Sequence, residues 1–323
     1  MNVRQVIPRD AIPSVDDPEF GPDYFGDPDD EVIVVESDGD GEDREVRAYP
    51  VRILHYHEIV NDELGGDPIA VTWCPLCGSA VVYDRGVGDR VLEFGVSGKL
   101  ADDDLVMYDR GTDSEWKQSL GEAIAGELAG ESLRVRPSSV TTYERFRAEY
   151  DGRVLRRPGG ESEASGPGDD PEPIEYDDAP YADYFEGDGF GLAAHRGEGG
   201  REWSREDLDP KTVVLGVEAS ESDSALGFPL PRVERAGGVA RATVGDRDLA
   251  VFAAPDGIHA FENPGYEFEA AGEAGVFSAD GARWDGATGE SDDGRKLARV
   301  AARRLFAFAW RDDHGDGAFW SAE

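Results

Sequence analysis

The chain reads as an α+β protein of two related, mainly antiparallel, sheet-rich domains that arise from an internal duplication. Three observations predict this. Short β-prone runs outnumber helical patterns, the chain aligns on itself, and a stretch free of aromatic and branched apolar residues, Pro158 to Pro173, lies between the matching halves. The resulting organisation is a first repeat over 1–157, an acidic Gly/Pro-rich flexible linker or surface insertion over 158–175, and a second, degenerate repeat over 176–323.

Glu31 to Val35 and Arg44 to Tyr49 alternate around Gly-Asp turn signals and predict a hairpin. Val51, Leu54, Ile59, Val60 and Leu64 fall near helical spacing before Gly65-Gly66, which predicts a helix over Val51 to Leu64. Strands follow at Ile69–Trp73, Ala80–Asp84, Arg90–Val96 and Leu105–Asp109, and Thr141 to Tyr150 has the pattern of a short amphipathic helix. In the self-alignment Asp67-Pro68-Ile69-Ala70-Val71 matches Arg247-Asp248-Leu249-Ala250-Val251, and Ala48-Tyr49-Pro50 matches Gly227-Phe228-Pro229. Trp116, Gly121, Glu122 and Gly126 match Trp284, Gly289, Glu290 and Gly294. Pro75 and Ala80 meet Pro255 and Ala260, whereas Cys74 and Cys77 meet Ala254 and Gly257, so thiol chemistry belongs to the first half.

Composition excludes some functions. With 70 acidic residues against 32 basic and a formal charge of −38, the chain lacks the cationic surface that binds nucleic-acid phosphates. Its only lysines are Lys99, Lys117, Lys211 and Lys296, and the acids are spread along the chain. That pattern reads as a halophilic, solvated coat, since at molar salt the Debye length falls to about 3 Å. No run reaches the ~18 apolar residues of a membrane span, and Met1-Asn2-Val3-Arg4-Gln5 lacks an apolar signal region. The expectation is a soluble, cytoplasmic protein whose cysteines are reduced or metal-bound.

Those two cysteines, Cys74 and Cys77, sit in Cys74-Pro75-Leu76-Cys77 on a turn between two strands. Two thiols so spaced can hold a soft metal, form a disulfide or exchange with one. A four-cysteine zinc site is excluded by counting. His55 and His57 point about 200° apart on a helix, so one alone can serve, and His57 is preferred because Asn61 lies a turn further along its face. The leading expectation is a copper or zinc site held by Cys74, Cys77 and His57. A thiol–disulfide oxidoreductase is the alternative, although Gly78-Ser79 and a β-prone run follow where a thioredoxin-like motif would start a helix.

A third reading is a non-enzymatic small-molecule-binding or scaffolding protein using a cleft lined by Ser97, Asp109, Trp116 and Gln118, with Asn61 nearby. Against it, Asp109-Arg110-Gly111-Thr112 also reads as a hairpin turn whose aspartate caps its own backbone. Gly121, Gly126 and Gly130 match neither a P-loop nor a dinucleotide-binding loop, so no nucleotide cofactor is indicated, and no nucleophile elbow supports a hydrolase.

Several rare tripeptides occur in a fixed order: Arg47-Ala48-Tyr49-Pro50, His57-Glu58-Ile59-Val60-Asn61-Asp62, Val71-Thr72-Trp73-Cys74-Pro75-Leu76-Cys77-Gly78, Phe94-Gly95-Val96-Ser97-Gly98 and Leu105-Val106-Met107-Tyr108-Asp109-Arg110. With these the chain resembles the family catalogued as domain of unknown function 3179, through most of residues 10–155 and more weakly over 180–320. The resemblance implies no established reaction. It also implies relatives that are often exported or lipid-anchored, from which the N-terminus of this chain departs.

Overall fold

The computed structural model describes residues 1–39, 44–166, 170–219 and 224–322. Strands dominate, giving a sheet-rich α+β fold. The first half runs β1 (Glu31–Glu36), β2 (Val46–Pro50), α1 (Val51–His57), β3 (Ile59–Leu64), β4 (Asp67–Cys74), β5 (Ser79–Asp84), β6 (Phe94–Ala101), β7 (Asp104–Asp109), β8 (Glu115–Lys117), β9 (Glu122–Ala125), β10 (Ser138–Thr142) and α2 (Tyr143–Glu149). Two short helices follow, α3 (Ala182–Glu186) and α4 (Gly191–His195). The second half runs β11 (Val213–Glu218), β12 (Ala225–Pro229), α5 (Leu230–Arg235), β13 (Val239–Val244), β14 (Arg247–Ala254), β15 (Gly257–Glu262), β16 (Val276–Ala279), β17 (Ala282–Asp285), β18 (Arg303–Phe306) and α6 (Ala307–His314).

The expected β1–β2 hairpin forms with Val32 opposite Pro50, although residues 40–43 of its turn lie outside the described residues. The helix over Val51 to Leu64 does not form as expected. It stops at His57, because Glu58 takes a left-handed conformation (φ 57°), and β-branched Ile59 and Val60 pair with Thr72 and Val71 in β3. A strand satisfies those backbone groups and buries Ile59, Val60 and Leu64 together, which one helical stripe would not. The helix near Thr141 begins at Tyr143, with the Thr142 side chain accepting the Arg145 N–H as its N-cap.

The same local plan appears in each half. Val214 opposes Pro229 in β11–β12 as Val32 opposes Pro50, and a helix starts directly after each proline. A three-stranded meander follows in each, β3-β4-β5 and β13-β14-β15. Gly121 and Gly289 have φ of 68° and 73°, and a Cβ on either would stand 2.5 Å from the ring of Tyr83 or Phe261. Finally β10 pairs with β1, and β18 with β11, each running straight into a helix.

The halves are also woven together. One sheet has the order β12-β11-β18-β5-β4-β3, so strands from residues 59–84 continue into strands from residues 213–306, and the largest hydrophobic cluster draws on both. The stretch 158–175 is not a free linker where it is described. Glu161–Ser162 pairs with Glu172–Pro173, Ser162 is buried with its hydroxyl donating to the Tyr56 carbonyl at 2.9 Å, and the Glu163 N–H donates to Ala11 O. Tyr176, just beyond it, anchors the segment in the core. Among the described residues no helix is long and apolar enough to cross a membrane.

Candidate metal centre

β4 and β5 pair up to Cys74 opposite Ser79, which leaves Pro75–Gly78 as the turn. Gly78 closes it, with its N–H 3.3 Å from Pro75 O and φ 54°. A Cβ there would also stand 2.7 Å from the Phe306 ring, so the position requires glycine twice over. In β14–β15 the equivalent pair is Ala254 opposite Gly257, separated only by Pro255-Asp256. The strand register therefore sets Ser79, not Cys77, against Gly257. The first turn is two residues longer, and Cys77 occupies the extra length.

Both thiols are free and buried, Cys74 at 1% exposure and Cys77 at 0%. Burial is the largest influence on each and pushes both thiols above the ordinary range. The Cys77 thiol donates to Asp103 O at 3.4 Å. Behind the turn, Ala101 pairs with Asp104 across Asp102-Asp103, both with positive φ, as a type I′ hairpin requires. That hairpin places Asp104 at the inner end of β7. One oxygen atom of its carboxylate and the two sulfurs lie within 4.8 Å of one another, all three residues buried. Oδ2 of Asp104 accepts the Ser119 N–H at 2.9 Å, while Oδ1 is buried with no hydrogen-bond partner among the described residues. Burial raises this carboxyl, and the Lys117 charge opposes that rise. Lys117 is in turn ion-paired with Asp313 of α6, which also accepts from the Ser119 hydroxyl at 2.6 Å. The second half thus supplies an anion to the wall of the first half's site.

On its other side Cys74 opens onto a pocket shared with Glu58, Val96, Leu105, Glu163 and Tyr181. Glu58 is the left-handed residue that ends α1, and burial, then Glu163 and Asp104, push its carboxyl up to about 8.

His57, the expected third ligand, is not part of this group. Its Nδ1 lies 2.8 Å from Pro13 O and its Nε2 2.6 Å from the Tyr176 hydroxyl, so both ring nitrogens are engaged elsewhere. His57 stays on α1 as expected, but the early end of that helix moves Asn61 onto β3. There Asn61 brackets the Phe94 backbone, donating to its carbonyl at 2.8 Å and accepting its N–H at 2.9 Å. Ser97 sits in a bulge of β6 and donates to Val106 O at 2.5 Å. Asp109 caps its own turn through the Thr112 N–H at 2.6 Å and takes the Trp116 Nε1–H at 3.2 Å. Trp116 is fully buried edge-on to Phe94, and Gln118 Nε2 donates to the Thr72 hydroxyl at 2.8 Å. These residues are brought near one another, but as packed core rather than as an open cleft.

Sequence reasoning missed Asp104, Glu58, Lys117 and Asp313. The available signal was the run Asp102-Asp103-Asp104 between two strands, in which the first two residues fit an I′ turn and the third must then begin a buried strand.

A family model described as protein of unknown function (DUF3179) matches residues 9–317, nearly the whole chain, including the half where the motifs are sparser. No curated protein and no solved structure matches the chain.

Proposed function

The chain belongs to the DUF3179 family, and we propose that it is a metal-binding protein whose single ion is held by Cys74, Cys77 and Asp104. The observation that carries this reading is the buried Asp104 carboxylate, which has one oxygen within reach of two thiols and one, Oδ1, without a partner among the described residues. A buried carboxylate oxygen with nothing to accept from is costly, and a cation bound alongside the thiolates removes that cost. The donor set favours zinc over copper: Cu(I) selects sulfur, whereas zinc accepts thiolate and carboxylate together. Three protein donors leave a fourth position, and Cys74 lines a pocket on its other side.

The raised thiols argue against the oxidoreductase alternative, which needs a depressed thiol pKa. Metal binding instead displaces the thiol protons, so affinity falls as pH falls. Native mass spectrometry of protein purified anaerobically in high salt tests the reading. One zinc per chain is expected, lost in Cys74→Ser and Cys77→Ser and weakened in Asp104→Asn; unchanged metal content in all three variants contradicts it.

Two broader readings go with this one. The matching strand plans and the Gly121/Gly289 ring contacts support an origin by duplication, with the thiol turn kept or gained in one copy only. The charge of −38 supports adaptation to high salt, expected to appear as loss of stability on dialysis to low ionic strength.

A further inference from the structure

The pocket beside Cys74 is walled by three separate stretches of chain: the N-terminal arm through Ile12, strands β6 and β7 through Val96 and Leu105, and the start of α3 through Tyr181. It encloses about 590 Å³, part of it open to solvent. Two polar side chains in this wall are more than nine-tenths buried and have no hydrogen-bond partner among the described residues. They are the Glu58 carboxyl and the Tyr181 hydroxyl, each residue 7% exposed. Both differ from the sealed polar atoms of the core, such as Trp73 Nε1: their oxygens keep accessible surface, and the pocket is the space they share.

Local structure fixes both groups. Glu58 is pinned on either side, its N–H on Leu54 O and its carbonyl accepting the Trp73 N–H. The Tyr181 ring is held by the rings of His195, stacked at 5.0 Å and 28°, and of His55, at 5.5 Å, which sets the direction of its hydroxyl. Burial and then the charge of Glu58 push that hydroxyl upward, as burial and then Glu163 do for the Glu58 carboxyl, so the three groups are neighbours.

The surroundings narrow what fits. Glu163 and Asp104 add negative charge around Glu58, while Lys99 is ion-paired with Glu115 and Arg196 is exposed, so an anion is disfavoured. A wholly apolar molecule would leave the Glu58 and Tyr181 oxygens unpaired. A bare inorganic cation would lose its water against Ile12, Val96 and Leu105, each at most 4% exposed. An alkylammonium ion escapes all three objections, with three N–H donors on its head and an apolar stem.

We propose that this pocket binds a small primary alkylamine as its ammonium ion, the head held by the Glu58 carboxylate and the Tyr181 oxygen and the stem lying on Ile12, Val96 and Leu105. Binding there needs no metal at the thiol turn.

Pentylamine serves as the probe, with pentanol (no charge) and pentanoate (opposite charge) as controls, by calorimetry on the full chain in high salt at about pH 9, where the Glu58 carboxyl is ionised. Saturable binding of pentylamine is expected, with both controls several-fold weaker or silent. Glu58→Gln keeps the shape and removes the charge, and is expected to weaken pentylamine about tenfold or more. Tyr181→Phe keeps the ring and removes the hydroxyl, and is expected to weaken it several-fold. Circular dichroism and thermal melts confirm that both variants fold. A repeat after EDTA treatment is expected to give the same affinity. No saturable binding of pentylamine, equal binding of pentanol, unchanged affinity in both folded variants, or binding lost with the metal from a still-folded protein overturns the proposal.

Discussion

The turns between β4 and β5 and between β14 and β15 occupy matching places in two similarly built halves, yet they are chemically opposite. The first is two residues longer, carries two buried thiols with the buried Asp104 carboxylate beside them, and is held by a left-handed glycine. The second is a tight Pro255-Asp256 turn whose aspartate accepts from Thr141 at 2.5 Å and lies 3.6 Å from His259, so its charge is settled within the protein. Similar strand plans thus leave the turn free to differ. Where the turn lengthens, inward-facing groups can be left for something else to satisfy.

The comparison can be broken at the wall of the site. Lys117 is the buried cation between Asp104 and Asp313, whereas the matching position in the second half is Asp285, paired with Arg145 near the surface. Lys117→Met strands two carboxylates and is expected to cost about 3–5 kcal/mol in urea unfolding at high salt. Asp285→Asn is expected to cost about 1 kcal/mol, since its partner is a third exposed. Equal effects would remove the asymmetry claimed here.

The scaffold itself should behave symmetrically. Gly121→Ala and Gly289→Ala each force a Cβ against a ring from a left-handed backbone, and each is expected to cost about 2–3 kcal/mol. A large effect at one site and none at the other would argue against a common plan.

Acid and base should also separate the two halves. In metal-free protein the Glu58 carboxyl is raised from 4.5 to about 8, so the folded state holds a proton that the unfolded state has lost. Stability then falls as pH rises through that window. Glu58→Gln is expected to flatten this slope and to gain about 1–3 kcal/mol over wild type at pH 8. Asp256 is held below its ordinary value by His259 and Thr141 despite burial, so its contribution is present above about pH 4 and lost as pH falls below that. Asp256→Asn is expected to destabilise at pH 7 by about 1–2 kcal/mol and to make little difference at pH 2.

Much of this was legible in the sequence where local chemistry decides. The hairpin at Glu31–Glu36, the C-x-x-C turn and the helix at Tyr143 follow from alternation, turn residues and an amphipathic pattern. The helix drawn from Val51 to Leu64 failed at a single residue. Nothing in the side chain of Glu58 announces a left-handed backbone, and the apolar residues beyond it fit a strand as well as a helix. Asn61, placed by that helix, lies on β3 instead, while His57 keeps its place on α1 with both ring nitrogens engaged elsewhere. Asp104 was hidden for another reason: its approach to the thiols is made by sheet packing between distant segments, which a one-dimensional pattern does not encode. The cleft around Trp116 reversed in meaning, since these polar residues are buried in the core, with Asp109 taking the Trp116 N–H and Gln118 bonding Thr72.

Cobalt(II) substitution tests the central claim most directly, because the ion reports both its ligands and its geometry. Near-ultraviolet thiolate-to-cobalt charge transfer and strong visible bands of a four-coordinate site are expected. Both should vanish in Cys74→Ser and Cys77→Ser, and the visible bands should shift in Asp104→Asn while they stay unchanged in His57→Phe. Absence of charge transfer in the wild-type protein, or bands that respond to His57 and not to Asp104, would contradict it.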